Sequence, residues 1–301
     1  MGAVSEKKAG PITLSAAGSC ASCRAPARRG VAAEPLVRFG LVADPHYADI
    51  DPAVGGDMRH YRESLAKLAE TVEAFNRSKV DFVVELGDLK DLTRGREETL
   101  AALERIEAVF AKFDGPRYHV AGNHDFDCLS PEEFFSRTPN DGKVRDIGYY
   151  SFVRNGVTFI VLDGCYTHDM RHYSRANPWT DTNIPPDQMA WLRRELAAAK
   201  GHVVVFCHQR LDPSAEGRHL VRNATEVRTL LEASGKVRAV IMGHQHCGGE
   251  GVVNGIPYYA LAAMVTGKGP ETNSFAEAAI YPSGAFMVTG FLRAKSFASS
   301  M

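Results

Sequence analysis

The sequence predicts an α/β protein, a two-sheet β-sandwich flanked by helices. Short β-branched and aromatic runs recur along the chain, and most end in a Gly, Asp or His motif. Between them lie stretches with apolar residues at helical spacing. Because the runs are apolar at successive positions, they suit strands covered on both faces. Strand–helix alternation supplies that cover.

Residues 37–43 read as the first strand, running into Asp44. Residues 58–77 place Tyr61, Leu65, Leu68, Val72 and Phe75 on one face, the pattern of an amphipathic helix. A strand over 82–86 leads to Asp88, and a helix over 97–113 turns Leu100, Leu103, Val109 and Phe113 inward. Residues 118–121 then lead to Asn123, and 159–162 end at Asp163, an acid placed to support a site from behind. Segment 164–185 has neither period but carries Tyr166, His168, His172, Tyr173 and Trp179. Loops of that length are functional or disordered, and we read this one as a substrate-facing wall. A helix over 186–200 opens on proline, tolerated in a first turn, and buries Met189, Leu192 and Leu196. Residues 202–207 lead to His208. Asn223-Ala224-Thr225-Glu226 forms a capping box for a helix that Gly235 stops, and 237–242 lead to His244.

The 301 residues are 45% hydrophobic and 24% charged, with a formal net charge of −1. That balance provides no basic field for a nucleic acid polymer. No run approaches the ~18 apolar residues that span a bilayer. Residues 1–35 differ from the rest: Lys7 and Lys8 precede a short, interrupted apolar stretch, which reads as a flexible tail or a poor export signal. Cytoplasmic and exported locations both stay open, and residues 36–301 form the domain. Six cysteines are scattered, and the CxxC at Cys20 and Cys23 lacks a βαβ context.

Five motifs carry the chemistry: Asp44-Pro45-His46, Gly87-Asp88, Gly122-Asn123-His124-Asp125, Cys207-His208 and Gly243-His244-Gln245-His246. Singly, each has an ordinary explanation as a turn acid or a hydrogen-bonded core histidine. Together they supply two carboxylates, four imidazoles and an amide oxygen at strand ends, with His124 left over. Such a mixed donor set suits two first-row divalent ions such as Mn, Fe or Zn. Two such ions neutralise charge on a phosphoryl group and generate a nucleophile from water. A spare imidazole can move a proton.

The ordered motifs resemble the calcineurin-like metallophosphoesterase superfamily. The resemblance implies the same sandwich fold and a partition of ligands. Asp44, His46, Asp88 and His246 would hold one metal, and Asp88, Asn123, His208 and His244 the other. His124 would protonate the leaving oxygen, and Asp91 would orient it. Residues 59–65, Leu162-Asp163 and 264–281 narrow the resemblance to the manganese-dependent ADP-ribose/CDP-alcohol diphosphatase group. That implies manganese foremost and a small phosphorylated substrate. Two departures from the group are His46, where some members carry Gln, and a shorter segment after Asp163.

Around these motifs, Arg59 and Arg62, read as lying on the first helix, are either solvated charges or a bidentate grip on phosphate. Tyr47 is either packing or a pocket wall, and Trp179 or Tyr173 could stack on a base. His60, His119, His202 and His219 read as packing or surface residues, and His168 and His172 stay undecided. The reading is therefore a two-metal hydrolase of a phosphodiester or pyrophosphate bond. Its rivals are a phosphomonoesterase, a cyclic-nucleotide or glycerophosphodiester phosphodiesterase, and a noncatalytic metal-stabilised scaffold.

Overall fold

Apolar runs become strands and periodic stretches become helices in the computed structural model, which describes residues 33–53, 58–215 and 217–299. The expected N-terminal tail and its CxxC lie largely outside these residues. Strands β1 (Val37–Val42), β2 (Phe82–Glu85) and β3 (Arg117–His119) run parallel. Antiparallel β10 (Ser274–Ile280), β11 (Phe286–Leu292) and β12 (Phe297–Ala298) extend that sheet beyond β1. In the second six-stranded sheet, β5 (Val157–Leu162), β6 (Val203–Cys207), β7 (Val237–Met242) and β9 (Ile256–Ala260) are parallel. Hairpin partners β4 (Tyr150–Arg154) and β8 (Gly249–Val253) close its two edges.

The layering follows from which side chains are apolar on both faces. Phe39, Phe82, Phe159, Phe206 and Ile241 fill the core between the sheets. Phe82 stacks on Phe39 and meets Phe159 edge-on, with ring centroids 5.1 and 4.9 Å apart. Outside the first sheet, α1 (Glu63–Ser78) and α2 (Arg96–Phe110) bury Leu68, Phe75, Leu103 and Phe110. Outside the second, α4 (Pro186–Ala198) and α5 (Ala224–Ser234) bury Leu192, Leu196, Val227 and Leu231. A short helix, α3 (Pro131–Phe135), follows the third motif. The two-sheet sandwich flanked by helices is therefore the observed fold. Among the described residues, no helix is long and apolar enough to cross a membrane.

Three expectations about elements need correction. Helix α1 begins at Glu63 and not at 58, because Arg59 bridges Thr266 and the His60 amide donates to the Val265 carbonyl at 2.9 Å. The expected capping box at Asn223 does not form: its side-chain amide pairs with both backbone groups of Ile184, at 3.1 and 2.9 Å. Met189 lies against the α4–α5 core but is only partly buried. Gly235 does stop α5, in the left-handed conformation at φ 64°.

Candidate metal centre

Parallel strands deliver the five motifs to neighbouring loops at their carboxyl ends, where open α/β sheets place their sites. The backbone reverses sharply there. Asp44, His46, Asp88 and His244 all have left-handed φ, between 47° and 67°, a region non-glycine residues occupy only when their surroundings fix it. The fixing bonds are visible. His46 N donates to Asp88 O at 2.8 Å and Tyr47 N to Leu89 O at 3.1 Å, knitting the first two loops. The Asp125 carboxylate accepts the amides of Asp88 and Leu89, each at 3.0 Å, and that of Gly122 at 2.9 Å. Glycine is required at two contacts: a Cβ on Gly87, at φ +99°, would lie 2.4 Å from the His208 ring, and one on Gly122 would lie 2.2 Å from Asp88 N.

Asp88 is the centre of the cluster. One carboxylate oxygen accepts the His124 amide at 2.7 Å. The other lies 3.1 Å from His208 Nε2 and 3.5 Å from His46 Nε2, between two imidazoles. His208 in turn approaches His244 Nδ1 at 3.1 Å, while His46 Nε2 approaches His246 Nε2 at 3.1 Å. Asp44 lies 3.7 Å from His246. Among the described residues the donor atoms gather in four overlapping groups, each within 4.8 Å: Asp44–His46–His246, Asp88–His208–His244, His46–Asp88–His124 and Asp91–His124–Asp127.

The chemistry of these donors fits metal ions. Asn123 Oδ1 and His244 Nε2 are buried polar atoms without a hydrogen-bond partner, which is costly unless something else satisfies them. The His208 Nδ1–H donates to the Leu86 carbonyl at 2.8 Å, fixing Nε2 as the ligating nitrogen. His46 is fixed the same way, its Nδ1–H donating to Asp91 at 3.1 Å. Burial holds His46 down at about 4 and His244 and His246 well below the usual imidazole range. Those three are therefore neutral, the form that coordinates. His208 goes the other way: burial opposes its charge, but Asp88 outweighs it and raises the pKa to about 10. Binding a cation there displaces that proton.

A family model described as calcineurin-like phosphoesterase matches residues 37–248. The chain belongs to that family. Plant relatives named manganese-dependent ADP-ribose/CDP-alcohol diphosphatase, as the narrower resemblance implied, are 29% identical. The rice protein aligns over 297 residues, 85% of this chain and 91% of its own length. The Arabidopsis thaliana protein covers 83% of this chain and 93% of its own length. Among solved structures, a dimetal phosphatase from Danio rerio superposes with a TM-score of 0.77, covering 89% of this chain and 99% of its own. At 23% identity that likeness shows the fold.

Around this phosphoesterase centre lie two cavities that share His124 and Trp179. The first, about 540 Å³, is lined by Arg59, Asn123, Arg218, His219 and His244 among others. The second, about 530 Å³, is lined by Thr93, Asp127, Tyr173, Arg175 and Asn177. Segment 164–185 provides Trp179 and Tyr173, so it does wall the pocket. Side chains pin it: Asp163 accepts the Cys165 amide at 2.8 Å and faces His172 at 3.3 Å, while Asp181 holds His168 at 2.7 Å. Asp163 therefore anchors the loop.

The remaining candidates separate. Arg59 lines the first cavity and donates to Asp91 at 3.2 Å. Arg62 does not join it: half exposed, it pairs with Asp49 at 2.6 Å and Asp51 at 2.8 Å. Tyr47 is packing, buried against the α1–α2 core with its hydroxyl accepting from Arg105 at 3.3 Å. His219, read as a packing or surface residue, stands in the pocket with its ring 5.3 Å from Trp179 and 5.2 Å from His244. Nothing in its sequence neighbourhood marked it. Asp91 bonds His46 and lies 3.6 Å from His124 Nδ1, whereas Asp127 is 2.8 Å from that nitrogen. Burial opposes a charge on His124, but Asp88, Asp127 and Asp91 outweigh it and push its pKa to about 9.

Proposed function

We propose that this phosphoesterase hydrolyses the pyrophosphate or phosphodiester bond of a small two-armed nucleotide derivative, of the ADP-ribose or CDP-alcohol kind, with two metal ions bound. Manganese is the first choice, from the names of the relatives, and Fe or Zn are the alternatives. One observation carries the two-armed reading: cavities of about 540 and 530 Å³ meet at His124 and Trp179. A phosphomonoester has one organic arm, and either cavity alone is of small-molecule size. A nucleoside phosphate with a second substituent uses both.

In this reading Asp44, His46, Asp88 and His246 hold one ion, and Asp88, Asn123, His208 and His244 the other. When bound, the ions neutralise phosphoryl charge and lower the pKa of water. The chain does the rest. Asp88 spans the two groups because its Oδ2 lies between His46 and His208, one from each group, while the His124 amide holds its other oxygen. Arg59 lines the phosphate-facing cavity, and Trp179 offers a flat face to a base. His124 gives its proton to the oxygen that leaves as the P–O bond breaks.

The test is product-resolved hydrolysis of ADP-ribose by manganese-loaded protein, with bis(p-nitrophenyl) phosphate as control. AMP and ribose 5-phosphate are the expected products. Faster turnover of a simple monoester than of any two-armed substrate would sink the proposal.

A further inference from the structure

Two carboxylates compete for His124. Asp91 is already engaged by other groups. Its Oδ1 accepts the Leu92 amide at 2.6 Å, and its Oδ2 accepts both His46 Nδ1–H at 3.1 Å and Arg59 Nη1–H at 3.2 Å. It stands 3.6 Å from His124 Nδ1, beyond hydrogen-bond reach. Asp127 Oδ2 lies 2.8 Å from the same nitrogen, and its side chain is only 7% exposed.

Local backbone explains the difference. Residues 123–126 form a single 3₁₀ turn, and the Asp127 amide donates to the His124 carbonyl at 3.3 Å. With three residues per turn, side chains three apart stack over one another. The His124 ring therefore meets the carboxylate of its own turn, while Asp91 is drawn off by a metal ligand.

We infer that Asp127 is the positioning residue for His124. Accepting the Nδ1–H, it fixes the ring so that Nε2–H faces the departing oxygen, the role an orienting acid plays beside any catalytic imidazole. The inference rests on the proposed reading of His124 as proton donor. In the step it serves, water oxygen forms a bond to phosphorus and the P–O bond to the leaving group breaks. The electron pair of that bond goes to the leaving oxygen, which takes the Nε2 proton. The attacking water loses a proton to solvent, and His124 regains one from it. The Nδ1 proton stays on His124, hydrogen-bonded to Asp127, throughout.

The experiment uses manganese-loaded enzyme and a series of nucleoside phosphodiesters whose leaving group runs from p-nitrophenol through phenol to an alcohol. A good leaving group departs without protonation, so loss of the acid shows only on the poor ones. Asp127→Asn is expected to lower kcat about 10²-fold on the alkyl ester and under about 5-fold on the nitrophenyl ester. KM and manganese content should not move. On a His124→Ala background it should add nothing, since the two act as one unit. Equal losses across the series would overturn the assignment, as would additive losses with His124→Ala. So would Asp91→Asn giving the leaving-group pattern while Asp127→Asn does not. Should Asp127→Asn fold poorly, Asp127→Ser takes its place in the same comparisons. Wild-type protein that cleaves the diester series but not ADP-ribose would reject the nucleotide reading and leave the Asp127 comparison intact.

Discussion

Asp91, Asp125 and Asp127 coordinate nothing in the proposed site, yet they decide how its histidines and loops stand. Asp91 fixes the His46 ring from behind, and a metal-binding imidazole without such a partner loses orientation and basicity. Asp91→Ala should therefore weaken manganese binding about 10–100-fold, read by titrating metal into the apo protein. An unchanged affinity would mean that Asp91 does not support the site. The motif residues were legible because metal chemistry restricts donor types. Asp127 was not, because its relation to His124 depends on a 3₁₀ turn instead of an α-helix. His219 and Arg62 show the same limit in opposite directions. A lone histidine entered the pocket, and an arginine beside the first loop was taken by Asp49 and Asp51.

Elements matter here mainly for where they stop. The bridge between Arg59 and Thr266 holds the chain extended before α1, which leaves Arg59 facing the first cavity and Arg62 outside it. The loops after β2 and β3 are joined through Asp125, whose three strong acceptor bonds are buried. Asp125→Ala leaves those amides unpaired, and the expected cost is about 3 kcal/mol or more, read from urea unfolding of metal-free protein. A loss under about 1 kcal/mol would show that the loops hold without it. Strands β8 to β12 were harder to see in the sequence. Ser274–Ile280 is rich in alanine and reads poorly as a strand, and it becomes one through pairing with β1 and β11. Asn223 illustrates the same override: a good local cap was claimed by a distant backbone segment.

At the scale of the molecule, a buried charge cluster stands behind the Gly87-Asp88 motif, where Glu85 accepts the Gly87 amide at 2.7 Å. His119, on β3, lies 3.2 Å from Glu107 on α2 and 3.5 Å from Glu85 on β2. Burial disfavours its charge, but Glu107 and Glu85 prevail and raise its pKa from 6.5 to about 9. The folded state then holds a proton that the unfolded chain releases, so the stabilisation is complete below pH 6.5 and fades as pH rises to about 9. Burial raises Glu85 from 4.5 to about 8, so its contribution also falls with rising pH, beginning at the lower of those values. Urea stability of metal-free protein should fall over that window, the His119 part contributing at most about 3 kcal/mol. A flat or rising profile would contradict the charged cluster. The sequence by itself determined the sandwich, the family and the candidate metal-binding side chains, because apolar periodicity and donor chemistry are local and discrete. Only the tertiary structure decided which carboxylate lies nearest each histidine, which of Arg59 and Arg62 reaches the pocket, and that two cavities meet at His124. Those outcomes turn on differences of about an ångström between groups far apart in the chain, and hydrogen-bond competition at that scale is settled by packing.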